Sequence, residues 1–159
     1  MSKHSDYTST NRSTHYLKCH LIFVCKYRKK ILIGSLNDDI KNIMQSIANT
    51  SGFDIEVMES DGDHIHFLIR YLPRWSVSQI VRRLKQKSTF AIWKLYPKLL
   101  RKHYWYKNIF WSDGYFVCSI GEASPQTIRQ YILDLSLTSH RLCQTDGFYA
   151  TFYKRLKTN

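Results

Sequence analysis

Between Tyr16 and Ile120 the spacing of apolar residues switches from alternation to helical periodicity and back, twice over, which restricts the chain to a few folds. The first run, YLKCHLIFVCKY from Tyr16 to Tyr27, is β-branched and aromatic and too apolar for a surface helix, so it reads as a long strand. A basic turn, Arg28-Lys29-Lys30, follows it. Gly34-Ser35 then opens a segment in which Leu36, Ile40, Ile43, Met44 and Ile47 recur at helical spacing. Asn37, Asp38 and Asp39 lie near the positive end of its dipole, and Gly52 stops it. Phe53 to Glu59 is expected as a second strand, Asp61-Gly62 as a tight turn, and His64 to Tyr71 as a third strand, making an antiparallel hairpin. Pro73 breaks that strand. Ser76 is placed to cap a second helix through Ile80, Leu84, Phe90 and Ile92, which ends before Pro97. A basic, aromatic connector, Arg101 to Lys107, leads to a fourth strand over Tyr115 to Ile120, and Ser124-Pro125 begins a last helix.

The order β-α-β-β-α-β followed by a helix is the split βαβ, ferredoxin-like arrangement of the α+β class. It is an antiparallel sheet with two helices on one face, the other face open, and an additional C-terminal helix. At 159 residues the chain has room for one ordinary domain. Residues 1–13 are polar and read as a flexible arm, 14–140 as the single domain and 141–159 as a tail of unassigned structure. We find no internal repeat or low-complexity tract.

Twenty-four Lys and Arg against twelve Asp and Glu give a formal net charge of +12, which repels itself unless a polyanion sits against the surface. Nucleic acid is therefore the expected partner. An aromatic content of 14% adds rings on which unpaired bases can stack, although most such rings belong in a core. Arg82, Arg83, Lys85 and Lys87 on the second helix are the leading candidates for phosphate contacts, followed by Lys26, Arg28, Lys29 and Lys30. A merely solvated helix face remains the alternative. Cys19, Cys25, Cys118 and Cys143 have no CxxC spacing, which excludes a structural zinc site and fits reduced thiols in a cytoplasmic protein. The N-terminus lacks an apolar secretory core and no run is long enough to span a membrane.

On a strand, residues two apart point the same way, so His64 and His66 project from one face while Ile65, Phe67 and Ile69 enter the core. Side-by-side imidazoles can chelate a divalent ion, or can be a solvated or internally satisfied pair. Asp61 and Asp63 precede them and can supply an oxygen ligand, orient an imidazole, or simply shape the turn. On the last helix Ile128, Ile132 and Leu135 form the expected buried stripe, leaving Thr127, Tyr131 and Asp134 on an adjacent side.

Four blocks in order resemble the single-tyrosine HUH transposases of the smallest insertion sequences. They are Val24-Cys25-Lys26-Tyr27-Arg28-Lys29-Lys30, Asp63-His64-Ile65-His66, Phe110-Trp111-Ser112-Asp113-Gly114-Tyr115-Phe116-Val117-Cys118-Ser119-Ile120-Gly121, and Thr127-Ile128-Arg129-Gln130-Tyr131-Ile132. The resemblance implies that His64 and His66 hold a divalent metal, Mg²⁺ or Mn²⁺, and that Tyr131 attacks a single-stranded DNA phosphodiester. The products are a 5′-phosphotyrosine, which conserves the bond for rejoining, and a free 3′-OH. It also implies a homodimer that binds DNA hairpins at element ends, the tyrosine helix of one subunit serving the histidine pair of the other. The family usually carries Gln one turn after the tyrosine as a further ligand. Here that position is Leu135, which cannot bind a cation; Asp134 is the nearest replacement, and Asp61 or Asp63 could substitute from the sheet side.

A phenol of pKa near 10 is only about 0.1% ionised at neutral pH, a handicap of roughly 4 kcal/mol that charge stabilisation at the phosphate has to offset. Two other readings share the composition. One is a DNA-hairpin binder with impaired catalysis. The other is an RNA-binding ferredoxin-like module, prompted by Gly114-Tyr115-Phe116-Val117, although Asp113 and Cys118 do not fit the RNA-binding pattern.

Overall fold

The computed structural model of the chain describes residues 7–105, 107–120 and 130. A four-stranded sheet lies at its centre, made of β3 (Lys18–Val24), β4 (Asp54–Asp61), β5 (His64–Arg70) and β6 (Phe116–Ile120) in the order β4-β5-β3-β6, with every neighbouring pair antiparallel. Two long helices, α1 (Gly34–Ser51) and α2 (Val77–Leu95), make the crossovers. This is the α+β, ferredoxin-like arrangement that the periodicity predicts; the C-terminal helix lies outside the described residues.

Local chemistry sets the boundaries. Gly52 ends α1 in the left-handed region at φ 80°, its N–H returning to the Ala48 carbonyl, a conformation that favours glycine. Gly62 takes φ 55° in the β4–β5 turn for the same reason. Ser76 caps α2 by accepting from the Gln79 N–H while the Gln79 side chain accepts from the Ser76 N–H, a reciprocal capping box. Because α1 starts at Gly34, Asp38 and Asp39 fall beyond its first turn. Asp39 instead accepts a hydrogen bond from the Tyr96 hydroxyl.

Leu21 and Phe23 of β3 and Ile65, Phe67 and Ile69 of β5 pack against Leu36, Ile40 and Met44 of α1 and Ile80 and Leu84 of α2, all essentially inaccessible to water. Burying each such side chain contributes on the order of 2 kcal/mol. Phe90, placed in the α2 pattern by the sequence, stands 66% exposed, with the Lys94 ammonium 4.4 Å from its ring centre.

Three expectations are corrected. Within the stretch read as an arm, β1 (Thr8–Thr10) forms an antiparallel hairpin with β2 (Ser13–His15) at the start of the domain. Polar three-residue strands carry no apolar alternation by which to be noticed. A further helix, α3 (Pro97–His103), opened by the proline at its first position and with only Leu100 buried, runs into the connector. Finally, the sheet face opposite the helices is not bare at its centre: His20, Ile22, Val24, His64, His66, Leu68 and Phe116 are all 6% exposed or less. The expected open face is open only toward its edges, where Cys118 of β6, opposite His20, is exposed.

Candidate active site

The C-terminal end of β3 gathers three of the sequence blocks that lie far apart along the chain. On one side the Cys25 N–H donates to the Asp63 carbonyl at 2.8 Å, and on the other the Ser112 N–H donates to the Val24 carbonyl at 2.7 Å. The Lys26 N–H reaches the Phe110 carbonyl, and the Lys26 ammonium pairs with Asp113 at 2.6 Å. The basic turn, the histidine strand and the Trp111-Ser112-Asp113 loop therefore meet where β3 ends.

His64 and His66 project to the face away from the helices, as alternation demands, with ring centres 5.0 Å apart. Each is only 3% exposed. Asp63 turns back on its neighbour: its Oδ1 accepts from His64 Nδ1 at 2.7 Å, and its Oδ2 accepts from Arg28 Nε at 2.9 Å. Burial alone would raise the Asp63 pKa, but the hydrogen bonds and charges of His64 and Arg28 outweigh it and hold the carboxyl below its ordinary value. A carboxylate accepting at Nδ1 fixes that proton and leaves Nε2 as the ligating nitrogen, the usual outer support of a metal-bound imidazole. Of the roles open to Asp63, this hydrogen bond is the one that orientation of His64 requires. Asp61 faces His64 across the β4–β5 ladder.

His66 has a support the sequence reading did not single out. His20 of β3 lies diagonally across from it, with His20 Nε2 3.1 Å from His66 Nδ1 and the rings stacked at 5.3 Å. Burial lowers the His20 pKa to about 4, and burial together with the neighbouring imidazoles lowers that of His66 to about 2, so both rings are neutral at pH 7. One proton then lies between them. If His66 Nδ1 carries it, His66 Nε2 presents a lone pair on the same side as that of His64. The available signal was the parity of β3: His20 and Lys18 are polar residues at alternate positions of an otherwise apolar strand.

This Nε2 of His66 is buried with no hydrogen-bond partner among the described residues, a state that costs free energy unless something occupies the position. A divalent ion fits it, since two oriented imidazoles suit a transition metal such as Mn²⁺. Among the described residues no group of three or more His, Cys, Asp or Glu is assembled to hold a metal, so the histidines form an incomplete shell. Tyr131, Asp134 and Leu135 lie outside the described residues.

The candidate DNA-contacting cations divide into two groups. Lys85 turns inward, donating to the carbonyls of Ser112, Asp113 and Gly114 at 2.7, 3.2 and 2.8 Å. Burial lowers its pKa to about 8, so at neutral pH the charged form still braces that loop. Arg28 and Lys26 are engaged with Asp63 and Asp113. Arg82, Lys87 and Lys30 are exposed, Lys29 is half-buried, and Arg83 lies over the Trp75 ring at 5.4 Å.

The family model described as "Transposase IS200 like" matches residues 13–134. The chain belongs to the IS200-like transposase family. It is 32% identical over 118 residues to the ISDra2 transposase TnpA of Deinococcus radiodurans, covering 74% of this chain and 83% of that protein. To the transposase for insertion sequence element IS200 of Salmonella typhimurium it is 31% identical over 116 residues, covering 72% and 74%. Among solved structures, a Deinococcus radiodurans protein assigned as a transposase superposes with a TM-score of 0.66 at 27% identity, covering 80% of this transposase and 96% of that chain. The fold also matches a REP-associated tyrosine transposase bound to a REP hairpin, with a TM-score of 0.55 at 14% identity, covering 84% and 75%. In this transposase no helix among the described residues is long and apolar enough to cross a membrane.

Proposed function

We propose that this transposase cleaves and rejoins single-stranded DNA at the ends of an insertion sequence, recognising a hairpin in each end. Tyr131 is the nucleophile. Its hydroxyl oxygen bonds to the scissile phosphorus and the 3′-oxygen leaves, giving a 5′-phosphotyrosine and a free 3′-OH that a later attack on the same phosphorus can rejoin. The observation that carries this reading is the doubly supported histidine pair, His64 held by Asp63 and His66 by His20, in a chain about one third identical to two transposases.

His64 and His66 would hold Mg²⁺ or Mn²⁺ through their Nε2 atoms, with Asp134 as the proposed further ligand in place of the amide absent at Leu135. When bound, such an ion polarises the phosphate and stabilises charge developing on its oxygens. Asp63 and Arg28 keep His64 in one tautomer, and His20 does the same for His66, so no reorientation is needed as charge develops. Arg82, Arg83, Lys87, Lys29 and Lys30 contact phosphates of the hairpin and its flanks. The working unit is a homodimer, the tyrosine helix of one subunit serving the histidines of the other.

Incubation with single-stranded element ends and Mn²⁺ should give a protein band shifted by covalently attached DNA, absent in Tyr131→Phe. An adduct that survives this substitution would remove Tyr131 as the nucleophile. Leu135 favours a second reading, a hairpin binder with impaired cleavage, which predicts hairpin binding with no adduct under any metal.

A further inference from the structure

The strand-transfer chemistry makes no use of the basic, aromatic connector formed by the end of α3 and the residues that follow it. Trp105, 79% exposed, and Tyr27, 63% exposed, line one cavity of about 530 Å³ together with Lys29, Lys102, His103 and Lys107. Among the described residues no carboxylate lines it. The Lys26 ammonium, paired with Asp113, lies 5.7 Å from the centre of the Tyr27 ring.

The cavity is built rather than incidental. Its floor is Tyr104, buried, whose hydroxyl donates toward the carbonyls of Lys26 and Phe110 and so ties the connector to the turn after β3. Its other wall rests on two consecutive non-glycine residues in the left-handed region, Tyr27 at φ 58° and Arg28 at φ 50°. Such backbone costs on the order of 1 to 2 kcal/mol per residue and persists only where the surroundings enforce it. Here the turn sends the Arg28 guanidinium inward to Asp63, and hence to His64, while leaving the Tyr27 ring in solvent. The cavity is therefore one residue removed from the contacts that orient His64.

Exposed rings beside lysines, with no carboxylate among the described lining residues, match a ligand that is both polyanionic and flat-faced. We infer that the Tyr27–Trp105 cleft binds unpaired nucleotides of the DNA strand adjoining the scissile phosphate, by stacking on the rings and by charge on the lysines, an inference that rests on the strand-transfer reading. A duplex stem satisfies only half of this match, because its bases are already stacked on one another.

The test is titration of the full chain with a short oligothymidine that cannot form a hairpin, following tryptophan emission and affinity. Trp105→Leu is expected to weaken binding roughly tenfold, and Trp105→Phe, which keeps a ring, to restore most of the affinity. Trp105 is a surface residue, so circular dichroism should be unchanged. Lys102→Ala with Lys107→Ala should flatten the salt dependence. Unchanged affinity in Trp105→Leu would overturn the inference, as would an equal Trp105-dependent loss for a blunt hairpin with no single-stranded flank. The two readings fail separately. A Tyr131 adduct with oligothymidine binding indifferent to Trp105 removes only the cleft, whereas Trp105-dependent binding with no adduct removes only the cleavage chemistry.

Discussion

The two faces of β5 are equally buried and differ in what burial does. On the helix side Ile65, Phe67 and Ile69 exclude water and stabilise the fold through apolar packing. On the other side His64 and His66 are just as inaccessible, but each is a polar ring whose desolvation costs free energy; Asp63 supports His64, while His66, supported by His20, keeps its Nε2 without a partner among the described residues. Stability is concentrated on one face and chemical potential on the other, in a strand of seven residues. Burial alone therefore does not separate core from site; the unmet hydrogen bond does.

Substitutions can break this contrast in descending order of effect. Phe67→Ala, on the fully buried packing side, should lower unfolding free energy by about 3 to 5 kcal/mol in urea denaturation. A loss below about 1 kcal/mol would mean that the helix-side core is not what holds the sheet. On the histidine side, saturating Mn²⁺ should stabilise the unsubstituted chain by about 2.7 kcal/mol at a hundred times its dissociation constant, read as a rise in melting temperature. His66→Ala should abolish that rise, and a rise that persists would place the ion elsewhere.

Asp63→Asn, and separately His20→Phe, should each weaken Mn²⁺ binding about 10- to 100-fold while leaving the apolar face intact, as isothermal titration and denaturation measured together would show. Recovery in His20→Gln, which keeps an acceptor, would distinguish orientation of His66 from simple packing. The smallest effect on stability belongs to Arg82→Ala with Arg83→Ala, within about 0.5 kcal/mol, although these changes should flatten the salt dependence of hairpin binding. An unchanged salt slope would take both arginines out of the interface.

Legibility in the sequence followed the range of the interactions concerned. Both long helices were readable with their stops, because the Leu36-Ile40-Met44-Ile47 stripe, the Ser76 cap, Gly52 and Pro97 act within a few residues of themselves. The β4–β5 hairpin was readable for the same reason, as was the parity that sets His64 and His66 apart from Ile65 and Phe67. The short α3 helix and the polar β1–β2 hairpin escaped, since neither presents a repeating apolar face. The site was only half visible: the histidine pair and Asp63 could be named, but His20 could not, nor the inward turn of Lys85.

What the sequence by itself determined is the four central strands and two long helices, their order, which side chains share a face, and the family to which the chain belongs. Tertiary structure alone decided which distant residues serve the histidines. His20 meets His66 across 46 positions, Arg28 meets Asp63 across 35, and Lys85 reaches Ser112 across 27. Those meetings are set by the register of β3 against β5 and by the packing of α2 beneath the loop that precedes β6. No local pattern encodes such a register, because it emerges only when both strands bury their apolar faces against the same helices.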